Sequence, residues 1–180
     1  DYAKAKEWYL KAADLGNPSR MYTLPIQFYN CKSLYRTPDY AKAEEWYLKA
    51  ADSGLSDAMI DLGRNYVQGN FNNGKPDYAK AKEWYLKAAD LGNPWGLYNL
   101  GVHYDNGNFN NGTPDSAKAE EWFIKAAELG SEEAENELLS RGYTKDSNNV
   151  WQSHAQKEST ELAKALAPFT YREDKNGIMI

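Results

Sequence analysis

The side chains best suited to chemistry are few in this 180-residue chain: two histidines, His103 and His154, one cysteine, Cys31, and carboxylates spread along its length. Acid–base or nucleophilic catalysis needs a nucleophile, a base and an orienting group within hydrogen-bond reach of one another. No segment supplies such a set, so no catalytic residue and no cofactor are expected. His103 falls off the Leu97, Leu100 and Tyr104 stripe of its own segment, which predicts a surface imidazole. A single cysteine excludes an intrachain disulfide and a thiolate metal cluster, and it is compatible with the cytoplasm and with an exporting compartment alike. Residues 106–112, NGNFNNG, offer the hard oxygen atoms that calcium takes. The alternating acidic ligands and terminal Glu of a calcium loop are missing, however, and left-handed turns account for the Asn and Gly better. No metal is expected.

Charge narrows the remaining partners. Twenty-six acidic residues against 21 basic ones give a net charge of −5, and Lys and Glu are intermixed. There is no basic stripe to neutralise phosphates, which argues against nucleic acid. No apolar run approaches the roughly 18 to 20 residues that span a bilayer, and the near balance of Lys and Glu on the helices disfavours a membrane surface. Aromatic residues make up 14% of the chain, with six Trp and 14 Tyr. That is enough to build a core and to supply side chains for gripping a protein.

The elements that would position those side chains follow from a repeat. The segment DYAKAKEWYLKAADLGNP at residues 1–18 recurs letter for letter at residues 77–94, with close variants beginning at Asp39 and Asp115. Trp8, Trp46, Trp84 and Trp122 mark a 38-residue period, and GNFNNG joins the helices at residues 69–74 and 107–112. Ala43, Trp46, Tyr47 and Ala50 fall at i, i+3, i+4 and i+7, which predicts an amphipathic helix starting at Pro38-Asp39 and stopping at Gly54. Glu45 and Lys49 form an i,i+4 pair in the favoured order, repeated at Glu7 and Lys11, Glu83 and Lys87, and Glu121 and Lys125. A second helix follows, with its stripe at Met59, Leu62, Gly63 and Tyr66 and again at Leu97, Leu100, Gly101 and Tyr104. Mid-helix glycine costs about 1 kcal/mol, so Gly63 and Gly101 predict close approach of a neighbouring helix. A helix pair cannot hide its apolar stripe alone, and stacked copies predict an all-α, right-handed solenoid. On this reading Trp84→Ala loses roughly 3 to 5 kcal/mol.

The recurring KAxEWYxKAA of the first helix and LGxxYxxG of the second resemble Sel1-like repeats, a branch of the tetratricopeptide-type superfamily, over about residues 1–142. The resemblance implies an α/α superhelix that acts as a non-enzymatic scaffold for protein–protein interaction. It also implies that the second helix of each pair lines the concave surface. Beside the core stripe at 100° per residue lie Trp95, Tyr98, Val102 and Asp105. The matching places are Asp57, Ile60, Arg64 and Val67 one copy earlier, and Ser19, Tyr22, Ile26 and Tyr29 before that. These positions vary between copies where the first helix hardly does. They form either a trough for a partner or an extension of the core into the next pair.

The ends depart from the pattern. Pro25 stands where Gly63 and Gly101 stand, which predicts a kinked or shortened helix and leaves Tyr22, Phe28, Tyr29 and Tyr35 as core repair or a binding end. The chain opens directly on a first-type helix, so the array is expected to begin mid-repeat in a truncated or processed protein. Residues 143–152 read as polar loop and residues 158–167 as a helix, with Leu162, Ala163 and Leu166 on a face that could cover the last open edge; a tail follows from Tyr171. The expected function is an adaptor that holds a partner peptide or protein in the concave groove. The alternative is an inhibitor or immunity-type protein that blocks a folded enzyme or toxin, as resemblance to bacterial Sel1-like proteins permits. Compartment, oligomeric state and partner identity are not encoded in these patterns.

Overall fold

A computed structural model describes residues 38–167 together with Lys11, Gly16, Ser19 and residues 21–23. The expectations for Trp8, Pro25, Ile26, Phe28, Tyr29, Cys31, Tyr35 and the tail lie outside the described residues. The chain divides into two compact units, Asp1–Ala134 and Glu135–Ile180.

The first unit is an all-α stack of helical hairpins, the repeat solenoid that the 38-residue period predicts. Its helices are α1 (Tyr40–Asp52), α2 (Ser56–Gln68), α3 (Tyr78–Asp90), α4 (Pro94–Asp105) and α5 (Ser116–Glu128). Each packs on the next in sequence, so contacts run between neighbours along the array. The first helices start alike: Asp39, Asp77 and Asp115 accept the backbone N–H groups of Lys42, Lys80 and Lys118 at 3.0–3.1 Å. Pro38 thus stands just outside α1 rather than in its first turn. Gly54, Gly92 and Gly130, all at positive φ, end the first helices. The GNFNNG loops also repeat in detail. Gly74 N–H donates to Gly69 O at 2.9 Å and Asp77 N–H to Tyr66 O at 2.9 Å; Gly112 and Asp115 donate likewise to Gly107 O and Tyr104 O. Asn73 and Asn111 both take φ of 51°, the left-handed turn expected of them.

Both apolar stripes point into the core. The mid-helix glycines mark the closest approaches: a Cβ on Gly63 would lie 2.5 Å from the Tyr85 ring, and one on Gly101 would lie 2.6 Å from the Phe123 ring. Each second helix therefore receives the aromatic residue that follows Trp in the next copy. The indole of Trp46 is in the core at 6% exposed, but two later ones are less central than the period predicts. Tyr85 and Phe123 are 1% exposed, whereas Trp84 and Trp122 are half-buried. Lysine ammonium groups cover these rings from outside, Lys49 over Trp46 at 4.1 Å, Lys87 over Trp84 at 3.9 Å and Lys125 over Trp122 at 4.6 Å. Among the described residues the expected i,i+4 bridge forms at Glu45 and Lys49, 2.7 Å apart. Lys87 and Lys125 are placed over the indoles instead.

His103 corrects a second expectation. Its imidazole is buried, not at the surface, stacked on Tyr85 at 5.8 Å and tilted against Phe109 at 5.0 Å. Asn108 Nδ2 donates to its Nδ1 at 2.9 Å, which fixes the neutral ring with its proton on Nε2, and burial pushes its pKa below 6.5. One copy earlier Asn65 is buried in the same place and accepts from Asn70 Nδ2 at 2.9 Å. The position therefore anchors the GNFNNG loop.

A helix α6 (Glu132–Ser140) begins where Ser131 Oγ accepts the Ala134 N–H. In the second unit, residues 143–152 are not wholly loop. Strands β1 (Thr144–Lys145) and β2 (Trp151–Gln152) pair antiparallel, Thr144 opposite Gln152, around a turn in which Asp146 accepts from Asn148 and Val150. Helix α7 spans His154–Leu166, four residues earlier than the 158 expected, because Ser153 and Gln156 close a capping box. Leu162 and Leu166 are 60% and 53% exposed. No described helix is long and apolar enough to cross a membrane.

Candidate functional site

Five of the side chains predicted from the variable stripe meet in one cleft of about 150 Å³. Tyr22, Asp57, Ile60, Arg64 and Trp95 line it, with Asp61. Three successive copies contribute. Tyr22 comes from the first, Trp95 from the first turn of α4, and the other four from α2, where spacings of three and four residues set them on one side of the helix.

Asp61 organises the floor. It is 16% exposed, and Arg64 Nη1 donates to its Oδ1 at 3.0 Å. The phenols of Tyr22 and Tyr47 feel the charge of its carboxylate. Burial, helped by the charges of Asp61 and Asp57, pushes the Tyr22 phenol up to about 12, and burial raises that of Tyr47 as well, so both stay protonated. Ile60 closes the base as part of the core, 5% exposed, and the Tyr22 ring leans on Tyr47 at 6.1 Å.

Asn93 builds the rim. Its Nδ2 donates to Asp57 Oδ1 at 3.1 Å and to Ser56 Oγ at 3.0 Å, while its Oδ1 accepts the Trp95 N–H at 3.0 Å. One amide thus holds the Asp57 carboxylate and caps the helix that carries Trp95. Pro94 at the first position of α4 is pre-shaped for that start. Trp95 is 43% exposed, meeting Tyr98 edge-on at 5.7 Å.

The other described residues of that stripe do not line the cleft. Tyr98 is half-buried and reaches Phe123 at 5.7 Å, so it is part of the inter-repeat packing. Val67 packs against the core cluster, Val102 is half-buried, and Asp105 accepts the Ser116 hydroxyl at 3.1 Å. Asp61 was not among the predicted residues. Its equivalents Thr23 and Asn99 differ from it and from each other, so variation between copies could have singled it out.

Two larger hollows, about 520 Å³ each, lie beside the GNFNNG loops. One is walled by Tyr40, Phe71 and Asn73, the other by Tyr78, Phe109 and Asn111 at equivalent places. They repeat the same residue types because the loops close the same way. The cleft at Asp61 does not repeat: Ser19, Asp57 and Trp95 are equivalent, as are Ile26, Arg64 and Val102.

The Sel1 repeat family model matches residues 1–17, 30–55, 56–93 and 96–131. The chain belongs to the Sel1 repeat family. Three solved structures similar to this Sel1 repeat chain come from bacteria. A Sel1 repeat protein from Oxalobacter formigenes superposes with a TM-score of 0.64 at 23% identity, over 94% of this chain and 65% of that one. The protective antigen c5321 of uropathogenic Escherichia coli, with an SLR fold, gives 0.62 at 31% identity over 76% of this chain and 27% of that one. Helicobacter pylori cysteine rich protein B gives 0.51 at 25% identity over 76% of this chain and 93% of that one. The chain spans less than two thirds of the first two proteins. None of the curated proteins matches it. Sel1 repeats are in general protein–protein interaction modules, and proteins of this type are in general non-enzymatic scaffolds.

Proposed function

We propose that this Sel1 repeat chain is a non-enzymatic scaffold that holds a partner peptide or protein against the second helices of successive copies, centred on the cleft of Tyr22, Asp57, Asp61, Arg64 and Trp95. One observation carries the reading: aperiodic side chains of three copies, with Asp57, Arg64 and Trp95 exposed, line one hollow, while the surrounding framework repeats. A face that only stacks has no need to differ at each step, whereas a face that meets a partner does. Trp, Tyr and Arg are the residues that dominate binding hot spots, and the cleft presents all three. Tyr98, Val102, Val67 and Asp105 support the face from behind or beside it.

The test is selection of a random peptide library displayed on phage over the wild-type protein and over Trp95→Ala in parallel. Trp95 is half-exposed, so its removal leaves folding largely intact, while loss of a hot-spot residue costs about 2 kcal/mol of binding, roughly 30-fold. Clones that the wild type retains and the variant releases are expected. Clones retained equally by both would remove the cleft from the binding face.

A further inference from the structure

We infer that the cleft reads a basic side chain of the partner, an arginine seated between the Trp95 indole and the Asp57 carboxylate. This rests on the partner-binding reading above and adds the chemistry of the group that enters. The first argument is size. At about 150 Å³ the hollow is smaller than the roughly 300 to 1,000 Å³ of small-molecule sites and accepts one long side chain.

The second argument is charge. Two carboxylates, Asp57 and Asp61, face one guanidinium, that of Arg64. Arg64 is committed to Asp61 at 3.0 Å. The cleft is left one negative charge in excess, and the excess sits at the rim on exposed Asp57.

The third is spacing. Asn93 hydrogen-bonds Asp57 at 3.1 Å and caps the backbone of Trp95 at 3.0 Å, so one amide ties the carboxylate to the backbone that carries the half-exposed indole, and both side chains line the one cleft. A planar guanidinium uses both at once, pairing with the carboxylate and stacking on the ring. The arrangement occurs here because Asn93 faces Asp57 across a repeat boundary; one copy earlier its place is Leu55.

The experiment follows the indole resonance of Trp95, assigned by its disappearance in Trp95→Phe, in nitrogen-15-labelled protein. Three probes are titrated: acetyl-arginine amide, its neutral isostere acetyl-citrulline amide, and acetyl-glutamate amide. Arginine is expected to half-saturate the shift at a concentration at least fivefold lower than either other probe. Asp57→Asn, an isosteric change at an exposed site checked by its melting temperature, is expected to abolish that preference. Equal response to arginine and citrulline, or a preference unchanged by Asp57→Asn, overturns the proposal. A preference for glutamate also overturns it and makes Arg64 the reader. If no probe moves the resonance while phage clones still depend on Trp95, the arginine assignment falls and the binding face stands; if the clones are independent of Trp95 as well, both fall.

Discussion

Among single side chains, His103 ties packing to solution behaviour most directly. Burial holds the folded imidazole below its ordinary pKa of 6.5, while the unfolded chain titrates near that value. The unfolded state therefore binds more protons as pH falls below 6.5. Stability is full above that point and declines beneath it until the folded ring also protonates. His103→Asn copies the residue found at Asn65 and keeps an acceptor for Asn108. Urea unfolding at pH 7.5 and pH 5 is expected to show a larger loss for wild type than for this variant; equal losses would mean that the ring is not buried neutral. The glycines make a second case. Gly63→Ala drives a Cβ into the Tyr85 ring and is expected to cost about 1 to 3 kcal/mol. In a double-mutant cycle with Tyr85→Leu its cost should shrink, and additive costs would show that the two do not touch. Glycine as a sign of contact was legible because its mid-helix penalty needs a reason. The depth of the Trp84 indole was not, since Trp84 and Tyr85 are adjacent on one stripe and only packing decides which goes inward. Tyr85→Ala should therefore lose roughly 3 to 5 kcal/mol and Trp84→Ala about half that, as calorimetry would read; the reverse order would restore the indole as the core residue.

Helix ends were readable where their chemistry is local. Asp39, Asp77 and Asp115 cap as their side chains dictate, and Gly54 stops α1 in the left-handed conformation. The start of α7 was equally local, a Ser153 and Gln156 box three residues apart, but the apolar pattern begins later and drew attention to residue 158. Ser153→Ala is expected to remove about 1 kcal/mol and to raise amide exchange over residues 154–158; unchanged exchange would show that the helix does not rely on this cap. The β1–β2 pair escaped notice because two residues per strand leave no alternation to see, and its order comes from the Asp146 turn. His103 escaped for a related reason. It lies off its own helix's stripe and is covered by the loop residues Asn108 and Phe109, a tertiary contact that helical periodicity does not carry.

At the scale of the whole molecule, periodicity and its failure divide the labour. The features that recur every 38 residues are those that stack: the Asp caps, the Ala and aromatic stripe, the glycine against the next ring and the closed GNFNNG loops. Features that do not recur meet where Tyr22, α2 and the start of α4 line one cleft. The fold was thus legible from repetition, and the residues that line the cleft were partly legible from variation: Tyr22, Asp57, Ile60, Arg64 and Trp95 belong to the variable stripe, Asp61 lies beside it, and Tyr98 of the same stripe packs on Phe123 instead of lining the cleft. The most direct measurement is hydrogen–deuterium exchange of the protein with and without a phage-selected peptide. The account predicts slowed exchange in residues 57–64 and 95–98, with the GNFNNG loops unchanged. Protection confined to those loops or to the outer faces of α1, α3 and α5 would contradict it.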